Sequence, residues 1–172
     1  MGQLTDLDVE WMAKAGVRRR LTTGTPLIHE GKPVASIFIV LEGEVLVTNA
    51  AGTTNVRLGS GEIVGEMSFV DASPPSATVA ALGDVVVLQI PREHLEERLR
   101  QDTGFAARFY RAVAIFLSDR LRSFTGATGS VPAAEGVLEQ DELDPNVLDT
   151  VALAGDRFSQ MLRKLGSARL MD

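Results

Sequence analysis

A cadence of glycines runs through residues 21–90, at positions 24, 31, 43, 52, 59, 61, 65 and 83, and it separates short runs rich in Val, Ile, Leu and Thr. Glycine takes left-handed backbone conformations that other residues resist, so glycines spaced among β-branched runs mark turns between strands. Examples of the runs are 36–41 (SIFIVL), 44–48 (EVLVT) and 85–90 (VVVLQI). Turn signals every eight to twelve residues restrict this part of the chain to a sandwich, barrel or jelly roll. Glu42-Gly43 joins two runs almost directly, which predicts a tight hairpin. Several runs are apolar at consecutive positions, so their outward faces need a cover of helices.

Within this β text, residues 59–81 stand apart. A glycine-punctuated strand end runs into Gly65-Glu66, then a one-turn apolar stretch, then Pro74-Pro75, and a new β run begins at Ala77. A short helix between two strands has free N–H groups at its start, which suits an anion, and Glu66 beside it is an acceptor for ligand hydroxyls. The stretch contains no Lys, Arg or His. An anion site without a cation is the central tension of the sequence.

Helical patterns flank the β text. Residues 5–15 predict a short amphipathic helix, capped by Thr5 or Asp6, with Leu7, Trp11 and Ala15 on one face and Gly16 as a stop. Arg18, Arg19 and Arg20 then read as a solvated edge strand or as a contact for an anion. After Pro91, residues 92–124 are helical in pattern. Leu95 and Leu99 mark one face of the first helix; the second carries two apolar rows. Phe105, Phe109, Val113 and Phe116 form one row, and Tyr110, Leu117, Leu121 and Phe124 the other. One row suffices to dock on the roll, so the other predicts a second partner, most simply another copy of the chain.

Residues 125–146 hold five acids and no base, which predicts a flexible acidic linker. That segment carries most of the net charge of −6, and the remainder of the chain is near neutral. Residues 147–170 then predict an amphipathic docking helix with Val151, Phe158 and Leu162 on its apolar side. The expected division is therefore a domain at 1–124, a linker at 125–146 and a docking helix at 147–170. The absence of cysteine and of any long apolar run argues for the cytoplasm, without disulfides, thiolate metal sites or a membrane span. Two histidines, His29 and His94, leave little for acid–base chemistry or a mononuclear metal, so no catalytic residue and no metal are expected. An acidic chain with room for only one helix after the long helix lacks the basic recognition helix of a DNA-binding regulator.

The segments 24–31 (GTPLIHEG), 37–47 (IFIVLEGEVLV) and 58–67 (LGSGEIVGEM) resemble the cyclic-nucleotide-binding domain of catabolite-activator-type regulators, kinase regulatory subunits and gated channels. The resemblance covers about residues 4–124. It implies a mainly β fold with flanking α elements: an eight-stranded, jelly-roll-like β-roll with an N-terminal helix, a phosphate-binding cassette holding a short helix, and C-terminal helices. It also implies a non-enzymatic sensor for cAMP, cGMP or another phosphate-bearing nucleotide. Carried over residue by residue, Gly65 and Glu66 start the cassette, with Glu66 accepting from the ribose 2′-hydroxyl. Met67 and Ser68 lie on the short helix that faces the cyclic phosphate, and Pro75, Ser76, Ala77 and Thr78 complete the ligand-binding set.

Where the family expects Pro-Arg-Ala-Ala-Thr-Val, this chain has Pro74-Pro75-Ser76-Ala77-Thr78-Val79, so Pro75 stands at the phosphate-pairing arginine. Truncating a buried charge-assisted pair costs about 2–5 kcal/mol of binding, and proline also removes its own N–H. The Ser76 hydroxyl offsets only about 0.5–1.5 kcal/mol. A cation from elsewhere, for instance Arg57, Arg108 or Arg111, would be needed. Two readings stand at this level. One is a nucleotide sensor that relays binding to a dimer mate or partner protein through residues 105–124 and 147–165. The other is a ligand-free interaction module that keeps the fold alone.

Overall fold

A computed structural model describes residues 4–52, 54–128 and 170–171. The chain opens with α1 (Asp6–Ala15), and Thr5 caps it. The Thr5 hydroxyl accepts from the Asp8 N–H at 3.2 Å, and the Asp8 carboxylate accepts from the Thr5 N–H at 2.8 Å, a reciprocal capping box. The buried side of α1 is not the predicted one. Asp8, Val9 and Met12 face inward while Leu7 is 74% exposed. The cause is Asp8, whose carboxylate binds Arg108 far along the chain and so turns the neighbouring Leu7 outward. Trp11 keeps a half-buried place, its ring edge-on to Phe105 with centroids 5.4 Å apart.

Strands β1 (Val17–Leu21), β2 (Pro26–Ile28), β3 (Ser36–Thr48), β4 (Asn55–Leu58) and β5 (Ile63–Val64) follow. A short helix α2 (Glu66–Asp71) separates them from β6 (Thr78–Pro91). Then come α3 (Arg92–Gln101), α4 (Thr103–Thr128) and a terminal strand β7 (Leu170–Met171). The sheet order is β4-β3-β6-β1-β7, with β2 also on β6 and β5 also on β3. All pairs are antiparallel except β1 with β7, where Arg18 faces Leu170 and Arg19 faces Met171. The Arg18–Arg20 run thus lies in a strand that is paired on both sides. Seven strands are described, beside the eight that the family resemblance implies.

The hairpin expected at Glu42-Gly43 is absent. Residues 36–48 form one strand that runs through Gly43, where φ is 81°. The register on β6 jumps there: Glu42 faces Val86, and Glu44 faces Leu82. Gly43 therefore makes a bulge that bends β3, and β6 carries the matching positive-φ Gly83. A Cβ on Gly43 would lie 2.4 Å from the Asp84 carbonyl oxygen, so no other residue fits. Two long strands bent at one level fold the sheet into a roll.

The consecutive apolar runs bury both faces, as the sequence predicts. Phe38, Val40, Val85 and Val87 point into the roll with Ile28, Leu58 and Val79. Ile37, Ile39, Leu88 and Ile90 point outward under Met12, Leu95, Phe105 and Phe109 of the helices. Asp102 joins α3 to α4, accepting from the Phe105 N–H at 2.8 Å and pairing with Arg98 at 2.9 Å. The first apolar row of α4 is its docking face, while Tyr110 and Leu121 of the second row are exposed. α4 continues to Thr128. The first four residues of the expected linker, 125–128, are therefore helical, and Leu170 at the end of the expected docking helix lies in β7; the remainder of both, 129–169, falls outside the described residues.

Candidate functional site

The site begins where β5 stops. Val64 pairs with Phe38 of β3, and Gly65 then adopts φ 89°, which suits glycine alone. A Cβ there would sit 3.1 Å from the Ser36 carbonyl oxygen. This tight turn aims α2 across the mouth of the roll. The helix ends after one and a half turns at Ala72 (φ 57°), where Asp71 accepts from the Ser73 N–H at 2.9 Å. The following Pro-Pro segment is pinned to the β2–β3 loop. The Pro75 carbonyl accepts from the Gly31 N–H at 2.9 Å, and the Thr78 hydroxyl accepts from the Glu30 N–H at 3.1 Å. Glu30 in turn accepts from the Ala50 N–H at 2.7 Å, which ties this loop to the β3–β4 connection.

Beneath α2 and the Pro-Pro segment lies a cavity of about 470 Å³, within the range of small-molecule sites. Its floor is apolar, from Ile28, Val47, Val56, Leu58 and Val79, and its rim carries Asn49, Thr54, Ser73 and Ser76. Seven of the eight residues predicted from the sequence line it: Gly65, Glu66, Met67, Ser68, Pro75, Ser76 and Ala77. Thr78 does not, because its hydroxyl is turned to Glu30.

Glu66 is 3% exposed and faces a partner that the sequence reading missed. Arg120 of α4 donates from Nη1 to Glu66 Oε1 at 2.8 Å and from Nη2 to Glu62 Oε2 at 3.1 Å and to the Ile63 carbonyl at 3.0 Å. Its guanidinium also lies over the Phe116 ring, 4.6 Å from the centroid. Burial pushes the Glu66 carboxyl above its ordinary value, and the Arg120 charge pulls it partly back. Among the described residues, Arg120 is therefore the cation that lines the cavity. The three arginines considered from the sequence lie elsewhere: Arg57 and Arg111 are exposed, and Arg108 is bound to Asp8 at 2.7 and 2.9 Å. A signal for Arg120 did exist, since it follows Phe116 by one helical turn and so extends the row of Phe105, Phe109, Val113 and Phe116 with a charge.

A second set of contacts ties α2 to the helices behind it. Arg92 of α3 donates to the Ser68 carbonyl at 3.0 Å and covers the Phe69 ring at 5.2 Å. Phe69 meets Phe109 of α4 edge-on, centroids 5.9 Å apart. Both C-terminal helices are thus in contact with α2.

Comparison with known proteins agrees with this fold. The cyclic nucleotide-binding domain profile matches residues 18–102. An uncharacterized NTE family protein of Mycobacterium tuberculosis is 27% identical over 157 residues, 91% of this chain but 26% of the relative. The chain thus spans about a quarter of that curated relative's length. The N-terminal domain of a Streptomyces coelicolor transcriptional regulator is 30% identical, covers 74% of this chain and 88% of its own, and has a TM-score of 0.55. A cyclic nucleotide-binding domain from Methylobacillus flagellatus has a TM-score of 0.66 at 22% identity, covering 78% of this chain and 77% of its own.

Proposed function

Because the chain belongs, through residues 18–102, to the cyclic nucleotide-binding domain family, we propose that it is a non-enzymatic sensor domain. It binds cAMP, cGMP or another phosphate-bearing nucleotide in the cavity under α2 and relays occupancy through α4. The observation that carries this reading is the Arg120–Glu66 contact, by which a side chain of the long helix lines the cavity under α2. A ligand that takes the Glu66 oxygens competes with Arg120, so it has different affinities for two positions of α4, as a population shift requires. The exposed row with Tyr110 and Leu121, the latter 63% exposed, gives α4 a face for a dimer mate or partner protein, joined by residues 147–165.

One observation favours a second reading. With Pro75 at the arginine position and Arg120 already on Glu66, the fold serves equally as a ligand-free interaction module. Calorimetry with cAMP, cGMP and cyclic di-GMP separates the two. Micromolar binding that disappears in Glu66→Ala supports the sensor, and silence for all three supports the module. Light scattering on the full chain and on Leu121→Glu tests the helix face: a monomer in both removes self-association through α4.

A further inference from the structure

Among the described residues that line the cavity there is a single cation, Arg120, against two carboxylates, Glu66 and Asp71. Glu62 lies on the same guanidinium. The cassette segment that would supply a positive charge offers Pro75, which has neither charge nor N–H. A cyclic phosphate is a monoanion, and it cannot leave water for a cavity of net negative charge without a cation to meet it. Among the described residues, the cation at hand for this comes from α4.

Arg120 is equipped for the task. Its side chain is only 19% exposed, and its guanidinium lies over the Phe116 ring, 4.6 Å from the centroid. Nη2 is anchored to the Ile63 carbonyl and Glu62 at the cavity wall. Nε is buried with no hydrogen-bond partner among the described residues. A planar fork with donor capacity to spare matches a phosphate bidentately. Its carboxylate partner, meanwhile, is buried against its preference.

Resting on the reading of the cavity as a nucleotide site, we infer that Arg120 is the phosphate-pairing cation of this chain. On binding, its guanidinium passes from Glu66 to the cyclic phosphate, and Glu66 is left to accept from ribose hydroxyls. The charge missing from the cassette is supplied by the helix that reports occupancy, so recognition and relay fall on one side chain. A guanidinium that exchanges one anion for another is never left unpaired, which keeps the exchange accessible.

The test is calorimetry with cAMP and with cGMP on the full chain, Arg120→Gln, Arg120→Lys, Pro75→Arg and the double variant Arg120→Gln/Pro75→Arg, with thermal melts showing that each is folded. The parent is expected to bind at least one nucleotide. Arg120→Gln should weaken it by about thirty-fold or more, and Arg120→Lys should lose less, because it keeps the charge but not the fork. The double variant should regain most of the loss. If Arg120→Gln does not fold, Arg120→Lys carries the comparison, and unchanged affinity there overturns the assignment. Unchanged or tighter binding in Arg120→Gln also overturns it, showing Arg120 to be only a plug on Glu66 while the sensor reading stands. A double variant that regains nothing counts against the phosphate role and for a structural one. A silent parent with a binding Pro75→Arg variant shows that Arg120 cannot supply the charge. Silence in every variant removes the nucleotide reading itself.

Discussion

Arg108 and Arg120 sit twelve positions apart on α4, and each reaches a buried carboxylate, but the two pairs are built differently. Arg108 holds Asp8 by two parallel bonds of 2.7 and 2.9 Å, and the same carboxylate closes the capping box of α1. The Arg108 hydrogen bond and the Thr5 N–H outweigh burial and hold the Asp8 carboxyl down at about 2. Arg120 gives Glu66 one bond and divides the rest of its fork between Glu62 and a backbone carbonyl. There burial wins, and the Glu66 carboxyl is pushed up. One ion pair locks the N-terminal helix to the long helix; the other holds a carboxylate at the cavity wall against the cost of its burial.

Breaking the lock should produce the largest effect. Asp8→Ala removes a helix cap and a bidentate ion pair together and leaves a guanidinium unmatched, so a loss of about 3 kcal/mol is expected. Urea unfolding followed by far-UV circular dichroism measures it. A loss under about 1 kcal/mol would show that the Arg108 contact contributes little. Acid titration should follow in size. Asp8 has a folded-state value of about 2 against an ordinary 3.8, so its contribution is complete above about pH 4 and is lost as pH falls through about 2. The loss is on the order of 2 kcal/mol, and it should be missing from the pH–stability profile of Asp8→Asn. Thr5→Ala comes next, at about 1 kcal/mol, because the Asp8–Arg108 pair survives it.

The same contrast explains what the sequence made legible. The roll could be read because glycines, β-branched runs and caps act locally, and the doubly buried strands showed as consecutive apolar residues. At Gly43 a turn and a bulge both ask for positive φ, and only the partner strand tells them apart. At Leu7 the apolar periodicity points inward, but it carries no trace of a neighbouring carboxylate buried by an arginine one hundred positions away. The seven predicted residues that line the cavity all fall within 65–77, where motif spacing suffices. Arg120 is fifty-four positions from Glu66, and such a contact is set by how α4 docks.

Glu66→Gln should give the smallest change in stability, and its sign sharpens the comparison most. The amide keeps an oxygen to accept from Arg120 Nη1 and removes a carboxylate that burial disfavours, while Glu62 and the Ile63 carbonyl still hold the guanidinium. These effects oppose each other, so a net change within about 1 kcal/mol is expected in urea unfolding at pH 7. The pH dependence is opposite to that of Asp8. Because the folded-state value of Glu66 lies above its ordinary 4.5, the parent binds this proton more tightly when folded. Its stability therefore falls as pH rises from about 4.5 through the folded value, whereas Glu66→Gln lacks that slope. A destabilisation as large as that of Asp8→Ala would make Arg120–Glu66 a second lock. A flat profile in the parent would mean that the cavity holds its carboxylate without strain, and the incentive for Arg120 to exchange partners would disappear.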